Sequence, residues 1–127
     1  MSLAYLDTHV AVYLYYGMTE ELSAEAARHI EEHDLLLSPM ALLEFEYLYK
    51  KSKISVNSST LVLELQATFG IGLCPLPFGK VAREACSLGW TNDPFDRLIV
   101  AQAQANHRSL LITRDRLIRS HYAGAVW

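Results

Sequence analysis

The sequence predicts a three-layer α/β/α sandwich with a central, mostly parallel sheet, built as one domain over residues 1–127. Three observations point there. Short, continuous apolar runs recur at "LAYL" (3–6), "DLLLS" (34–38) and "SLLIT" (109–113), the form of strands buried on both faces. The segments between them carry helical spacing and helix-start residues. A chain of 127 residues that is 51% hydrophobic, with its four prolines and six glycines scattered, can bury a core without metal or disulfide staples, which excludes disorder.

Taken in order, "LAYL" forms the first strand and ends at Asp7. "TEELSAEAARHIEEH" (19–33) sets Leu22, Ala26 and Ile30 on one helical face and acids on the other. "DLLLS" is the second strand. "SPMALLEFEYLYKK" (38–51) opens with Ser38 as N-cap and Pro39 in the first helical turn. A third helix covers 58–69, "GIGLCPL" (70–76) is a short strand and 79–88 is a further helix. "NDPFDRLIVAQAQANH" (92–107) again starts with a cap and a proline, and Leu98, Ile99 and Ala103 bury it. "SLLIT" follows as a strand, and "AGAVW" (123–127) closes the sheet as an edge strand. Strands alternating with helices imply a parallel sheet with right-handed crossovers.

Cys74 and Cys86 share no metal-type spacing with each other or with the five histidines, so both are expected to be small buried hydrophobes in a reducing compartment. Asp7 and His9 interrupt the N-terminal apolar run, and no run approaches the ~20 residues of a membrane span, so the expected location is the cytoplasm. The net charge of −3 hides an asymmetry: residues 1–46 carry nine acids against Arg28 alone, whereas residues 97–127 carry five arginines against Asp115 alone. By itself that is a weak electrostatic footprint for nucleic acid.

The acids are more informative. Ligand sites in open parallel sheets lie beyond the carboxyl ends of the strands, where strand order reverses. Asp7 and Asp115 each stand at such an exit, in "LAYLDTH" and "LLITRD". One aspartate there is an ordinary cap; two suggest a shared crevice. On the helix from Ser38, Glu44 shares a stripe with Ala41, Phe45 and Leu48, a costly place for a carboxylate unless it reaches a site or snorkels from the core edge. Glu46, four residues before Lys50, reads as a surface ion pair. Asp93 before Pro94 is explained as an N-cap. Asp96 suits the first helical turn, and can also complete an acidic cluster with Asp7, Glu44 and Asp115.

This ordered set, Asp7 in "LDTH", Glu44 in "SPMALLEFEYL", Asp96 in "DPFDRLIVAQA" and Asp115 in "LLITRD", resembles the PIN domain family, and specifically the VapC-type toxins of bacterial toxin–antitoxin pairs. The resemblance implies an α/β/α fold, a Mg²⁺- or Mn²⁺-dependent endoribonuclease, a homodimer, and an antitoxin that blocks the site. Carried over by position, the family's acids fall on Asp7, Glu44, Asp96 and Asp115, and its hydroxyl near the last acid falls on Thr113. One departure bears on substrate positioning: relatives often carry a histidine shortly before "DPFDR", where this chain has Thr91 and Asn92.

Elementary electrostatics agrees with the transfer. Two carboxylates ~4 Å apart repel by about 1 kcal/mol in water and about 4 at an effective dielectric of 20. Four together must take up protons or be neutralised by a cation. An oxygen-only donor set suits Mg²⁺ or Mn²⁺ rather than structural zinc. Asp7 and Asp96 are then expected to hold the principal ion, Glu44 and Asp115 a second ion or the attacking water, and Thr113 to support them. Arg97, Arg114 and Arg116 are candidates to offset the charge of RNA, and each is equally explained as surface. His9 is expected to pack or face water and the other histidines to lie on the surface. Tyr13, Tyr15, Tyr16, Tyr47 and Tyr49 fill the core or form a dimer or antitoxin groove.

Other classes fit less well. A receiver domain needs a late lysine, and none follows Lys80; a haloacid dehalogenase-type phosphatase needs an aspartate where His9 stands. The remaining rival is a non-catalytic PIN-like module that binds RNA or a partner without cutting.

Overall fold

The computed structural model describes residues 2–127. Its elements are β1 (Leu3–Leu6), α1 (Thr8–Tyr15), α2 (Ala24–Glu32), β2 (Asp34–Leu37), α3 (Met40–Lys50), α4 (Ser58–Phe69), β3 (Gly72–Leu73), α5 (Phe78–Cys86), α6 (Pro94–Ala105), β4 (Leu110–Ile112), α7 (Arg116–His121) and β5 (Ala125–Val126). The five strands form one sheet in the order β3-β2-β1-β4-β5, and every pairing is parallel. The chain therefore builds outward from β1 in one direction and then returns to β1's other side with β4. That reversal puts the switch point between β1 and β4.

Strand alternation sorts the core into two layers. Ala4 and Leu6 of β1, Leu35 and Leu37 of β2 and Ile112 of β4 face a cluster completed by Val10, Leu14, Phe45, Leu61 and Leu65, supplied by α1, α3 and α4. Tyr5 and Leu111 face the opposite cluster, with Val81, Ile99, Val100 and Ile118 from α5, α6 and α7. Both faces of β1 are closed to water, which is why its sequence is apolar without a polar alternation.

The three-layer sandwich and all five strands lie where the sequence places them. Two helices do not appear in the sequence reading. In α1 the segment "THVAVYLY" is apolar on nearly every side, so it carries no 3.6-residue polar face, and its helix start is marked by Asp7 alone. In α7 six residues bury only Ile118, too little to form a stripe. The expected 19–33 helix is split: a 3₁₀ turn covers Thr19–Glu21, Leu22 is extended, and Ser23 Oγ caps α2 by accepting from Ala26 N–H at 2.9 Å. Helix α3 is counted from Met40, yet Ser38 does the capping, its Oγ accepting from Met40 N–H at 3.1 Å.

Three side chains depart from expectation. Glu46 does not pair with Lys50; its Oε1 accepts from Ser58 N–H at 3.2 Å and so ties α3 to the start of α4, a backbone donor that is otherwise orphaned. Cys74 is buried as expected and hydrogen bonded to Tyr5 Oη at 2.9 Å, but Cys86, in the last turn of α5, is exposed. His29 is not a surface residue: its ring is 12% exposed and packs on His33. Of the tyrosines, Tyr15 packs against the first cluster while Tyr16, Tyr47 and Tyr49 are exposed. Among the described residues, no helix is long and apolar enough to cross a membrane.

Candidate active site

The ends of β1 and β4 deliver the first two acids. Asp7 follows β1 and its N–H extends the ladder by donating to Ile112 O at 3.0 Å. Its side chain starts α1, Oδ1 accepting from Thr8 N–H at 2.8 Å. Thr113, fully buried after β4, donates from Oγ1 to Asp7 Oδ2 at 2.6 Å, and accepts on the same oxygen from Asp115 N–H at 3.0 Å. Asp115 in turn caps α7, with Oδ1 accepting from Ile118 N–H at 2.9 Å. The threonine hydroxyl thus has only one proton to give and gives it to Asp7, which fixes that carboxylate's orientation.

The other acids arrive on helices. Asp93 caps α6 through Oδ1, which accepts from Phe95 N–H at 2.8 Å and Asp96 N–H at 3.3 Å. Asp96 stands half-buried in the first turn of the same helix. Glu44 projects from α3 beside the fully buried Phe45, which anchors the helix in the first cluster. The Thr8 hydroxyl is buried, has no hydrogen bond of normal geometry among the described residues, and stands close enough to Glu44 to favour its ionised form.

Asp7, Glu44, Asp96 and Asp115, separated by up to most of the chain, all line one cleft of about 360 Å³, and Asp93 joins them. His9, Tyr13 and Arg114 complete its wall. Hollows of about 700 and 530 Å³ exist elsewhere, but neither gathers more than two carboxylates, so chemistry rather than size singles out the acidic cleft. Asp7 and Asp115 therefore satisfy both readings of the sequence, as helix caps that share a cleft, and Asp93, expected only as a cap, lines the same cleft.

Burial and crowding raise the proton affinity of Asp96, Asp7 and Glu44. Asp96 is pushed up to about 7, first by burial, then by the negative charges of Asp93, Asp7, Asp115 and Glu44. Asp7 is raised by burial, which outweighs the opposing bonds from Thr113 and Thr8 N–H. Glu44 is raised by burial and by the charge of Asp7. Among the described residues, no three carboxylates, imidazoles or thiols form a ready-made cage for an ion.

From the sequence Asp93 is explained by its cap role alone; the signal for more is its spacing of three residues from Asp96, which puts both at one helix end. The three arginines separate cleanly. Arg97 spends Nε on Thr91 O at 2.6 Å, Arg116 is exposed outside the cleft, and Arg114 lines it. His9 is exposed and lines the cleft as well.

The Thr113 bond has a measurable consequence. Thr113→Val leaves Asp7 Oδ2 without its donor in a buried setting and is expected to lower stability at neutral pH by about 1–3 kcal/mol in urea unfolding, while Thr113→Ser keeps most of it. Equal stability of the valine and serine variants would contradict the orienting role.

A parallel sheet whose central strands open into a carboxylate-lined cleft defines an α/β protein with an acidic site at its switch point. The PIN domain model matches residues 4–123, and the chain belongs to the PIN domain family, as the ordered acids suggest. Among solved structures it is similar to VapBC2 from Rickettsia felis bound to a DNA fragment from their promoter, with a TM-score of 0.66 and 16% identity over 98% of this chain and 96% of that one. At that identity the likeness is one of fold. No curated protein matches the chain.

Proposed function

We propose that this chain is a divalent-metal-dependent endoribonuclease of the VapC type, hydrolysing RNA phosphodiester bonds, with Asp7, Glu44, Asp96 and Asp115 as its acidic residues. The observation that carries the reading is their convergence, from four separate elements, on one cleft at the sheet's switch point. PIN domains are in general nucleases that use divalent metals, which supports it further.

The donor chemistry fits Mg²⁺ or Mn²⁺. Hard carboxylate oxygens in an open arrangement, without a closed cage, suit an ion that keeps several waters and binds through one or two carboxylates and a substrate phosphate. Held by Asp7, Glu44, Asp96 and Asp115, such a cation would neutralise the cluster and would supply an acidified water and charge stabilisation at the phosphate. The protein's own part is placement. Thr113 and Thr8 N–H hold Asp7 in one orientation, α6 presents Asp96 to the same cleft, and these two are assigned the principal ion. Glu44 and Asp115 are assigned a second ion or the attacking water, with Thr113 as supporting hydroxyl.

The same reading includes a cognate antitoxin, a homodimer and a cytoplasmic setting. The exposed apolar side chains Leu43 and Tyr47 of α3 and Phe78 of α5 support a protein-covered face. The test is RNA cleavage by the purified protein with Mn²⁺ or Mg²⁺ and its loss in chelator. Cleavage that survives chelation refutes metal dependence, and RNA bound but uncut with both metals favours the non-catalytic binding module.

Stability should report the cluster independently of activity. A carboxyl whose folded pKa is raised binds more protons folded than unfolded, so its contribution is full below the unfolded value near ~3.9 and is lost as pH rises through the folded one. Without divalent cations, stability is therefore expected to fall between about pH 4 and 7 as Asp96 ionises, on the order of 1–2 kcal/mol after solvent screening, with Asp7 and Glu44 acting in the same direction. Thermal melts at acidic and mildly alkaline pH check this; Mg²⁺ should restore stability at the alkaline end only.

A further inference from the structure

Arg114 is the only lysine or arginine lining the acidic cleft among the described residues. It sits between Thr113, which points inward to Asp7, and Asp115, so its side chain projects to the rim. There Nη1 donates to Glu21 Oε2 at 2.9 Å, and Tyr13 of α1 stands against the same guanidinium; both raise its proton affinity. Glu21 belongs to the 3₁₀ turn, so two elements remote in sequence hold one arginine.

An exposed ion pair of this kind adds little to stability. Its effect is geometric. A guanidinium has five donors in a planar fork, and the Glu21 bond at Nη1 leaves others to face an oxyanion. An anionic strand entering a cleft of five carboxylates meets repulsion that a fixed cation at the rim offsets. Neither Arg97, bonded to Thr91 O, nor Arg116, outside the cleft, occupies that place.

We propose that Arg114 is the phosphate-positioning residue of this cleft, binding a backbone phosphate next to the one hydrolysed, with Glu21 and Tyr13 holding its guanidinium ready. The proposal rests on the ribonuclease reading above and adds to it the residue that seats the RNA.

The test compares Arg114→Gln, Arg114→Lys, Glu21→Gln and Arg116→Gln with the unaltered protein, by cleavage kinetics and by anisotropy of a fluorescein-labelled single-stranded RNA with Ca²⁺ in place of Mn²⁺. Arg114→Gln is expected to raise KM and Kd by ~10-fold with kcat within ~2-fold, and to lower the slope of log affinity against log salt by ~0.7. Arg114→Lys recovers part of the affinity. Glu21→Gln weakens binding by ~3-fold alone and by nothing further beside Arg114→Gln, the non-additivity of a residue acting through another. Arg116→Gln changes either quantity less than Arg114→Gln does.

The inference is overturned if Arg114→Gln leaves KM, Kd and salt slope unchanged, or if Arg116→Gln matches it. It is also overturned if kcat alone falls. Failure of the parent reading looks different: the unaltered protein then does not cut RNA, and RNA binding that still depends on Arg114 upholds the phosphate contact. Absence of RNA binding by the unaltered protein removes both.

Discussion

Asp96→Asn is expected to lower metal-dependent RNA cleavage by ~10²–10⁴-fold, because the ligand role proposed for it carries several kcal/mol of charge stabilisation in the transition state. The substitution is nearly isosteric and Asp93 still caps α6, so the helix start is preserved. It also removes the carboxyl that the other four acids and burial push up to about 7, so the variant should be at least as stable as the parent without metal above that pH. Activity loss with retained or increased melting temperature is the combined signature. Asp7→Asn should lose activity similarly but also some stability, since an amide cannot accept on both sides from Thr8 N–H and Thr113 Oγ1. Asp96→Asn protein that cuts RNA within tenfold of the parent rate would remove Asp96 from the chemistry.

Phe45→Ala is expected to destabilise the protein by about 3–5 kcal/mol, a large part of the roughly 5–15 kcal/mol that holds a domain folded. Phe45 has no exposure and packs with Ala41, Leu61 and Leu65 between α3, α4 and the sheet. Its loss opens a cavity beside Glu44, so activity should fall through displaced geometry even where the variant remains folded. Urea unfolding measures the change, with Leu43→Ala as the control, 57% exposed on the same helix and expected to cost about 0.5 kcal/mol or less. A Phe45→Ala shift no larger than the control's would mean the first cluster is not the core of that layer.

Much of this architecture is legible in the sequence because local and global signals agree. The three apolar runs are strands since both faces of each are covered, and Pro39 and Pro94 mark helix starts that the fold keeps to within a residue. Four acids at strand exits and helix stripes reach one cleft because parallel topology brings all strand ends to one edge. The two unread helices fail for opposite reasons: α1 is apolar all round, so periodicity is silent, and α7 is too short to show any. Asp93 was hidden by a sufficient explanation, its cap role. The Glu21–Arg114 pair, spanning two elements, has no local signature at all.

Three of the cleft's aspartates open helices, so α1, α6 and α7 all aim their amino ends at the same small volume. The aligned peptide dipoles give each such end roughly half a positive charge, strongest over the first turn. The backbone thereby acts as a permanent, non-titrating partial counter-ion, so the acidic cluster can persist in the folded chain, and the cation proposed for the cleft need supply only the remainder.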